Sequence, residues 1–261
     1  MMRRFFTLLL IPLLSACAAA VPAAAPTPTP MVFQPTLGRG LSFLARQVDA
    51  APGLLHASPT QPDVHWLAPD NLLVEWVLQE ANAERLSVTI DTTLHEYGVT
   101  GNGLLEVLHG ASIDWPPGSP VQVEVAPTAW LESYTGDEVL SDWESDARLS
   151  LLGAVNASNQ GDAAQAAARY AAALALFDGT GFAGSTATEQ YATADLAVAL
   201  LAGERLDEPV NDAIVRRLLA LQTDDGGFAA HYTAAGPADG ADTVTTAYAL
   251  LALYALRQPI Q

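Results

Sequence analysis

Apolar positions along the chain recur mainly at helical spacing. In 209–221, Val210, Ile214, Leu218 and Leu221 share one face while Asp212 and Arg216 lie off it, which predicts an amphipathic helix with one wet side. Pro209 suits its first turn and Asp207 its cap. Stretch 163–177 reads as an alanine-rich helix of the same kind, with Gly161-Asp162 before it and Gly179 after. Stretches 37–48 and 81–97 complete the half-wet set. By contrast, 191–201 and 243–256 carry few charges in their bodies. A helix apolar almost all round must be covered on every side, so these two, with 70–79 and 140–156, are expected inside.

A turn signature recurs between the helices. Glycine followed by an apolar residue stands at Gly53-Leu54, Gly103-Leu104, Gly181-Phe182 and Gly227-Phe228. Glycine past a helix end tolerates the left-handed backbone, and the apolar residue can tuck back on the last turn. The last two copies align best: Asp178 to Phe182 over Asp224 to Phe228, and Thr193-Ala194 over Thr246-Ala247. The pattern predicts an all-α fold of about four helical hairpins wound into a ring or arc. One segment departs from it. Val121, Val123 and Val125 alternate with Gln122 and Glu124, a strand signal. With 104–108 as the expected partner strand and Trp115-Pro116-Pro117-Gly118 in the connection, a small β-hairpin insertion is predicted over about 103–130.

The carboxy-terminal third carries a more specific signal. Gln222-x-x-Asp225-Gly226-Gly227-Phe228 resembles the Q-x-x-D-G-G-F turn of the α/α-toroid superfamily of terpene cyclases and protein prenyltransferase β subunits. Asp242 to Tyr248 resembles the D-x-x-H-T-x-Y stretch that opens an inner helix there. The resemblance implies an α/α toroid. It does not imply either named chemistry. The prenyltransferase zinc site uses Asp, Cys and His, but Thr245 stands at the histidine position, and no D-x-D-D run for alkene protonation occurs. The toroid also occurs in sugar-processing enzymes, so fold alone leaves the activity open.

The amino terminus changes the picture of where this domain works. Arg3 and Arg4 precede an apolar run from Phe5 to Leu14 that is too short to span a bilayer. Leu14-Ser15-Ala16-Cys17 resembles the lipobox of bacterial lipoproteins, which implies cleavage before Cys17 and lipid attachment to it. The expected organisation is a signal peptide at 1–16, an Ala/Pro/Thr-rich extended tether at 17–36 and the helical domain at 37–258. The expected address is the cell envelope, anchored by lipid outside the cytoplasmic membrane.

The formal net charge is −18, and every basic residue is arginine. Such a surface repels phosphate backbones, so nucleic acid is not an expected partner. The partners expected are the membrane, through Cys17, and a glycan or a protein. The single cysteine excludes an internal disulfide and a multi-cysteine zinc site. The histidines, His56, His65, His95, His109 and His231, form no metal-binding spacing. A site from His231, His65 and an aspartate is conceivable, but spacing gives it no support, so no metal or cofactor is expected.

In a ring of hairpins the starts of the inner helices converge on one mouth. Four acids there, Asp142, Glu144, Asp70 and Asp242, are the candidates for catalysis, because glycoside cleavage needs two carboxyl groups of unlike proton affinity. Helix capping explains any one of them equally well. His65, Trp66, Trp115, Tyr191, Asp195, His231 and Tyr232 are the candidate ligand-binding residues. Tryptophans beside carboxylates suit sugar stacking, although large aromatics are also ordinary core filler. The leading expectation is a protein that binds or processes a neutral carbohydrate, as a glycoside-active hydrolase or lyase if it is an enzyme. A non-catalytic protein-interaction module is the alternative, and an isoprenoid or lipid binder the third.

Overall fold

Helices apolar on most sides need neighbours on most sides, and the fold is arranged around that need. A computed structural model describes residues 33–182 and 190–257; the expected signal peptide, the tether up to residue 32 and Cys17 lie outside them. The described residues hold eight α-helices: α1 Gln34–Arg46, α2 Leu72–Glu80, α3 Glu84–Glu96, α4 Ala147–Asn159, α5 Ala163–Leu174, α6 Thr193–Arg205, α7 Asp212–Leu219 and α8 Thr243–Arg257. α2, α4, α6 and α8 are the interior helices. α8 packs between α2 and α6, and α6 reaches α4. The more amphipathic helices cover them: α1 on α8, α3 on α2, α5 on α4 and α7 on α6. Burial follows composition. All of Leu72 to Leu78 in α2 and Leu196 to Gly203 in α6 are buried, whereas α7 buries only Ile214, Val215 and Leu218.

The expectation of an all-α fold, a toroid or arc of hairpins, is overturned. The described residues also contain ten strands in four small sheets, so the fold is mixed α and β. β1 Val48–Asp49 pairs antiparallel with β2 Leu54–Leu55. β3 His65–Trp66, β4 Val121–Ala126 and β5 Ala129–Ser133 form a sheet in the order β3-β5-β4, with β3 parallel to β5. β6 Tyr191–Ala192, β8 His231–Thr233 and β9 Gly236–Pro237 form another, in the order β6-β8-β9. β7 Phe228–Ala229 pairs with β10 Ala241–Asp242. Most of these strands have two or three residues, too few for a period of two to show in a sequence.

Three further expectations shift. The partner of β4 is β5, not 104–108. Leu105, Val107 and Leu108 are all buried, and Leu105–His109 forms a short 3-10 turn. Asn102 starts that turn by accepting from the N–H groups of Leu104 and Leu105 at 3.1 and 2.9 Å. A capped apolar run with no alternation has no reason to lie as a half-exposed strand. The helix expected over 140–156 begins only at Ala147, where Asp146 accepts from the Leu149 N–H at 2.9 Å and caps it. The cap of α7 is Asn211, whose side chain accepts from Ala213 and Ile214, and not Asp207.

The Gln222 to Phe228 turn is tied to α1. The Gln222 amide donates to the Thr36 and Gly226 carbonyls at 2.9 and 2.8 Å and accepts from Arg39. Arg46 donates to the Asp225 carbonyl. Gly226 has φ +91°, and a Cβ there would lie 2.6 Å from the Arg39 carbonyl oxygen, so glycine is required twice over. Phe228 is fully buried, and its N–H donates to Thr246 Oγ1 of α8 at 2.9 Å.

A carboxylate-lined cavity at the helix starts

The loops before α2 and α8 face each other across a cavity of about 500 Å³. Trp66 and Asp70 line it from the stretch before α2, and Asp225, Asp239, Asp242 and Val244 from the stretch leading into α8. β3 sets Trp66 opposite Trp130 of β5, their ring centroids 5.9 Å apart. Asp70 lies in the irregular helical turn Leu67–Asn71 that leads into α2. Asp242 ends β10 and caps α8, accepting from the Thr245 N–H at 2.7 Å.

Burial decides the electrostatics here. Asp70 is 3% exposed, and loss of solvent pushes its carboxyl well above the usual range. Repulsion from Asp242 and Glu132 pushes the same way. Burial also raises Asp242, against the hydrogen bonds from Thr245 that favour its charged form. Asp239 adds to the rise and His231 opposes it. His231 Nδ1 lies 2.8 Å from Oδ2 of the lining residue Asp239, both side chains substantially exposed.

The acidic group continues to the starts of α4 and α6. Asp195, in the first turn of α6, accepts from Arg148 Nε at 3.0 Å. Burial raises Asp195 and Arg148 lowers it, with burial prevailing. For Arg148, burial acts downward, but Asp195, Tyr248 and Asp146 outweigh it and its proton is held more tightly than usual. Burial raises Tyr248 and Tyr134, and both sense Glu132 and Arg148. The amino-terminal ends of α2, α4, α6 and α8 therefore contribute to one electrostatically connected group.

The candidates from the sequence are divided by this arrangement. Asp70, Asp242 and Trp66 share the cavity, His231 is outside its lining but bonded to Asp239 of it, and Asp195 belongs to the neighbouring ion pair. Asp142 and Glu144 are exposed, on the short turn Trp143–Ser145 before α4, and the charge Glu144 influences is Arg169. They do not line the cavity. Trp115 packs edge-on against Trp143, with ring centroids 5.6 Å apart, and covers Gly153 of α4. Tyr232 is fully buried and donates to the Thr180 carbonyl at 3.1 Å, while the Tyr191 hydroxyl donates to Asp178 at 2.6 Å. Both tyrosines serve the loop before α6. His65 is buried outside the cavity lining, beside His56 and Asp49.

Sequence reading passed over Arg148, Glu132, Tyr134, Tyr248 and Asp239. Arg148 left a trace: a charge in the first turn of an otherwise apolar interior helix calls for an acidic partner. The others reach the group through strands and loops that carry no periodic signal. Among the described residues, no helix is long and apolar enough to cross a membrane. Comparison of the chain with family models, with curated proteins and with solved structures finds no match.

Proposed function

We propose that the cavity binds a neutral carbohydrate. The observation that carries this reading is that Trp66, Asp70 and Asp242 line one cavity of about 500 Å³. That volume falls within the roughly 300–1,000 Å³ usual for small-ligand sites. A tryptophan offers a flat apolar face to the C–H side of a sugar ring. Burial favours the protonated form of Asp70, which can donate to a ligand hydroxyl, while Asp242, whose Oδ1 holds the Thr245 N–H, has its second carboxyl oxygen to accept from one. A carboxyl pair of unlike proton affinity also suits acid-assisted glycoside cleavage, so hydrolase or lyase activity is the catalytic extension of the same reading. The acidic lining and the net charge of −18 disfavour polyanionic glycans. In this reading the domain works outside the cytoplasmic membrane, tethered through lipid on Cys17.

The test titrates the purified protein with neutral oligosaccharides, followed by tryptophan fluorescence and calorimetry, with release of reducing ends assayed in parallel. Trp66→Ala and Asp242→Asn should weaken binding at least tenfold. Asparagine preserves the α8 cap, so loss in the second variant reports on the carboxylate. Trp115→Ala should leave binding unchanged. Absence of saturable binding, or equal binding by all variants, overturns the reading.

A specific observation favours a second reading, a protein-interaction module. β4 is an edge strand, and Val121, Val123 and Val125 on one of its faces are all exposed. The isoprenoid reading is disfavoured by the four aspartates of the cavity lining.

A further inference from the structure

Three side chains that sequence spacing does not connect meet beneath β1, β2 and β3. One ligand-capable atom each from Asp49, His56 and His65 lie within 4.8 Å of one another. His65 Nε2 stands 3.5 Å from Asp49 Oδ2. The imidazole centroids of His56 and His65 are 4.8 Å apart. His65 is 3% exposed, and beyond the 3.5 Å approach to Asp49 its Nε2 has no hydrogen-bond partner; His56 Nδ1 is likewise buried and has none. A buried polar atom without a partner is costly. Two imidazoles with such atoms, whose ligand-capable atoms gather with a carboxylate oxygen within 4.8 Å, describe a coordination site.

We propose that Asp49, His56 and His65 bind a divalent transition-metal ion, with zinc the best fit to two imidazoles and one carboxylate. Tetrahedral zinc with bonds of about 2.1 Å places its ligand atoms roughly 3.4 Å apart. The His65–Asp49 separation already matches that spacing, and the rest of the set needs to contract by up to about 1.4 Å. Three protein ligands leave one position for water or an exogenous ligand.

The backbone is prepared for the set. The His56 N–H donates to the Gln47 carbonyl at 2.9 Å, and Thr243 Oγ1 of α8 donates to the His56 carbonyl at 2.5 Å. The His65 N–H donates to the Thr128 carbonyl at 2.8 Å, and Thr128 Oγ1 lies 3.3 Å from His65 Nδ1. That contact suits the tautomer with Nε2 free for a metal. Asp49 Oδ1 accepts from the Ala51 N–H at 3.0 Å, which leaves Oδ2 towards the imidazoles. Sequence reading considered His65 with His231, but His231 is engaged with Asp239 instead. The site is independent of the carbohydrate reading, because none of its three residues lines the cavity.

The test strips the full chain with chelator and titrates it with zinc by calorimetry, and with cobalt to follow the visible absorption of a tetrahedral centre. The expected result is one saturable ion per chain, with a rise in melting temperature. His56→Gln and Asp49→Asn, checked for native circular dichroism, should each weaken zinc binding by more than the roughly 10–100-fold that loss of an outer hydrogen-bond partner costs. His231→Gln should bind as the parent does. His65→Gln is the secondary variant, because its burial puts folding at risk. No saturable binding, or parent-like affinity in correctly folded His56→Gln and Asp49→Asn, overturns the proposal. So does loss of binding in His231→Gln alone.

Discussion

Asn71 satisfies both backbone groups of Leu55. Its Oδ1 accepts from the Leu55 N–H at 2.7 Å, and its Nδ2 donates to the Leu55 carbonyl at 3.2 Å and to the Trp66 carbonyl at 2.7 Å. A fully buried amide thus acts as a short strand between β2 and β3 and fixes the entry of α2 beside Asp70 and Trp66. Asn71→Ala removes three hydrogen bonds and strands buried backbone groups. It should cost about 3 kcal/mol, read from urea denaturation, and should also reduce quenching of Trp66 by any cavity ligand.

Asp70 predicts a falling stability with rising pH. Its folded-state proton affinity lies above the ordinary carboxyl value of 3.8. Between 3.8 and the raised folded value, the folded chain holds a proton that the unfolded chain has lost, so the slope of stability against pH is negative. The stabilisation is full below 3.8 and is lost as pH rises through the folded value. Asp70→Asn removes this loss. The variant should be more stable than the parent at neutral pH, with the advantage shrinking towards acid, in urea midpoints measured across pH.

Arg148 and Asp195 form an ion pair whose guanidinium side chain is 38% exposed. Solvent screens such a pair, so Arg148→Met should cost only about 1 kcal/mol at neutral pH. The variant leaves Asp195 without its partner and raises its proton affinity further. The loss should therefore shrink in acid, where Asp195 is protonated, and denaturation at two pH values checks this.

Gly153 sits in the middle of α4, where alanine is favoured by about 1 kcal/mol on propensity. A Cβ there would lie 2.7 Å from the Trp115 ring. Overpacking costs about 1–3 kcal/mol, so Gly153→Ala should destabilise. In a Trp115→Ala background the same change should stabilise, and a double-mutant cycle measures the reversal.

Helix identity was legible because long periodic segments report their own burial. The run Thr193 to Leu201 needs cover on every side, and only an interior position supplies it. Apart from β4, whose alternating valines gave a strand signal, the small sheets were not legible. His65-Trp66 and Ala241-Asp242 are strands only because Ala129-Trp130 and Phe228-Ala229 lie alongside them. Pairing of two-residue segments is a long-range matter with no local pattern. The same limit governed the site. Acids at interior helix starts could be named, but Asp142 and Glu144 look like Asp70 and Asp242 in a sequence. Only burial separates them.

By itself, then, the amino-acid sequence determined which segments are helices, which of them must be interior, and that the surface is acidic and free of lysine. Hydrophobic periodicity and charge are local properties and need no partner to be read. The tertiary structure decided which loops became strands, which carboxyls lost their water, and that Asp49, His56 and His65 meet. Those outcomes depend on distance and desolvation, which arise only when segments remote in the chain are packed together.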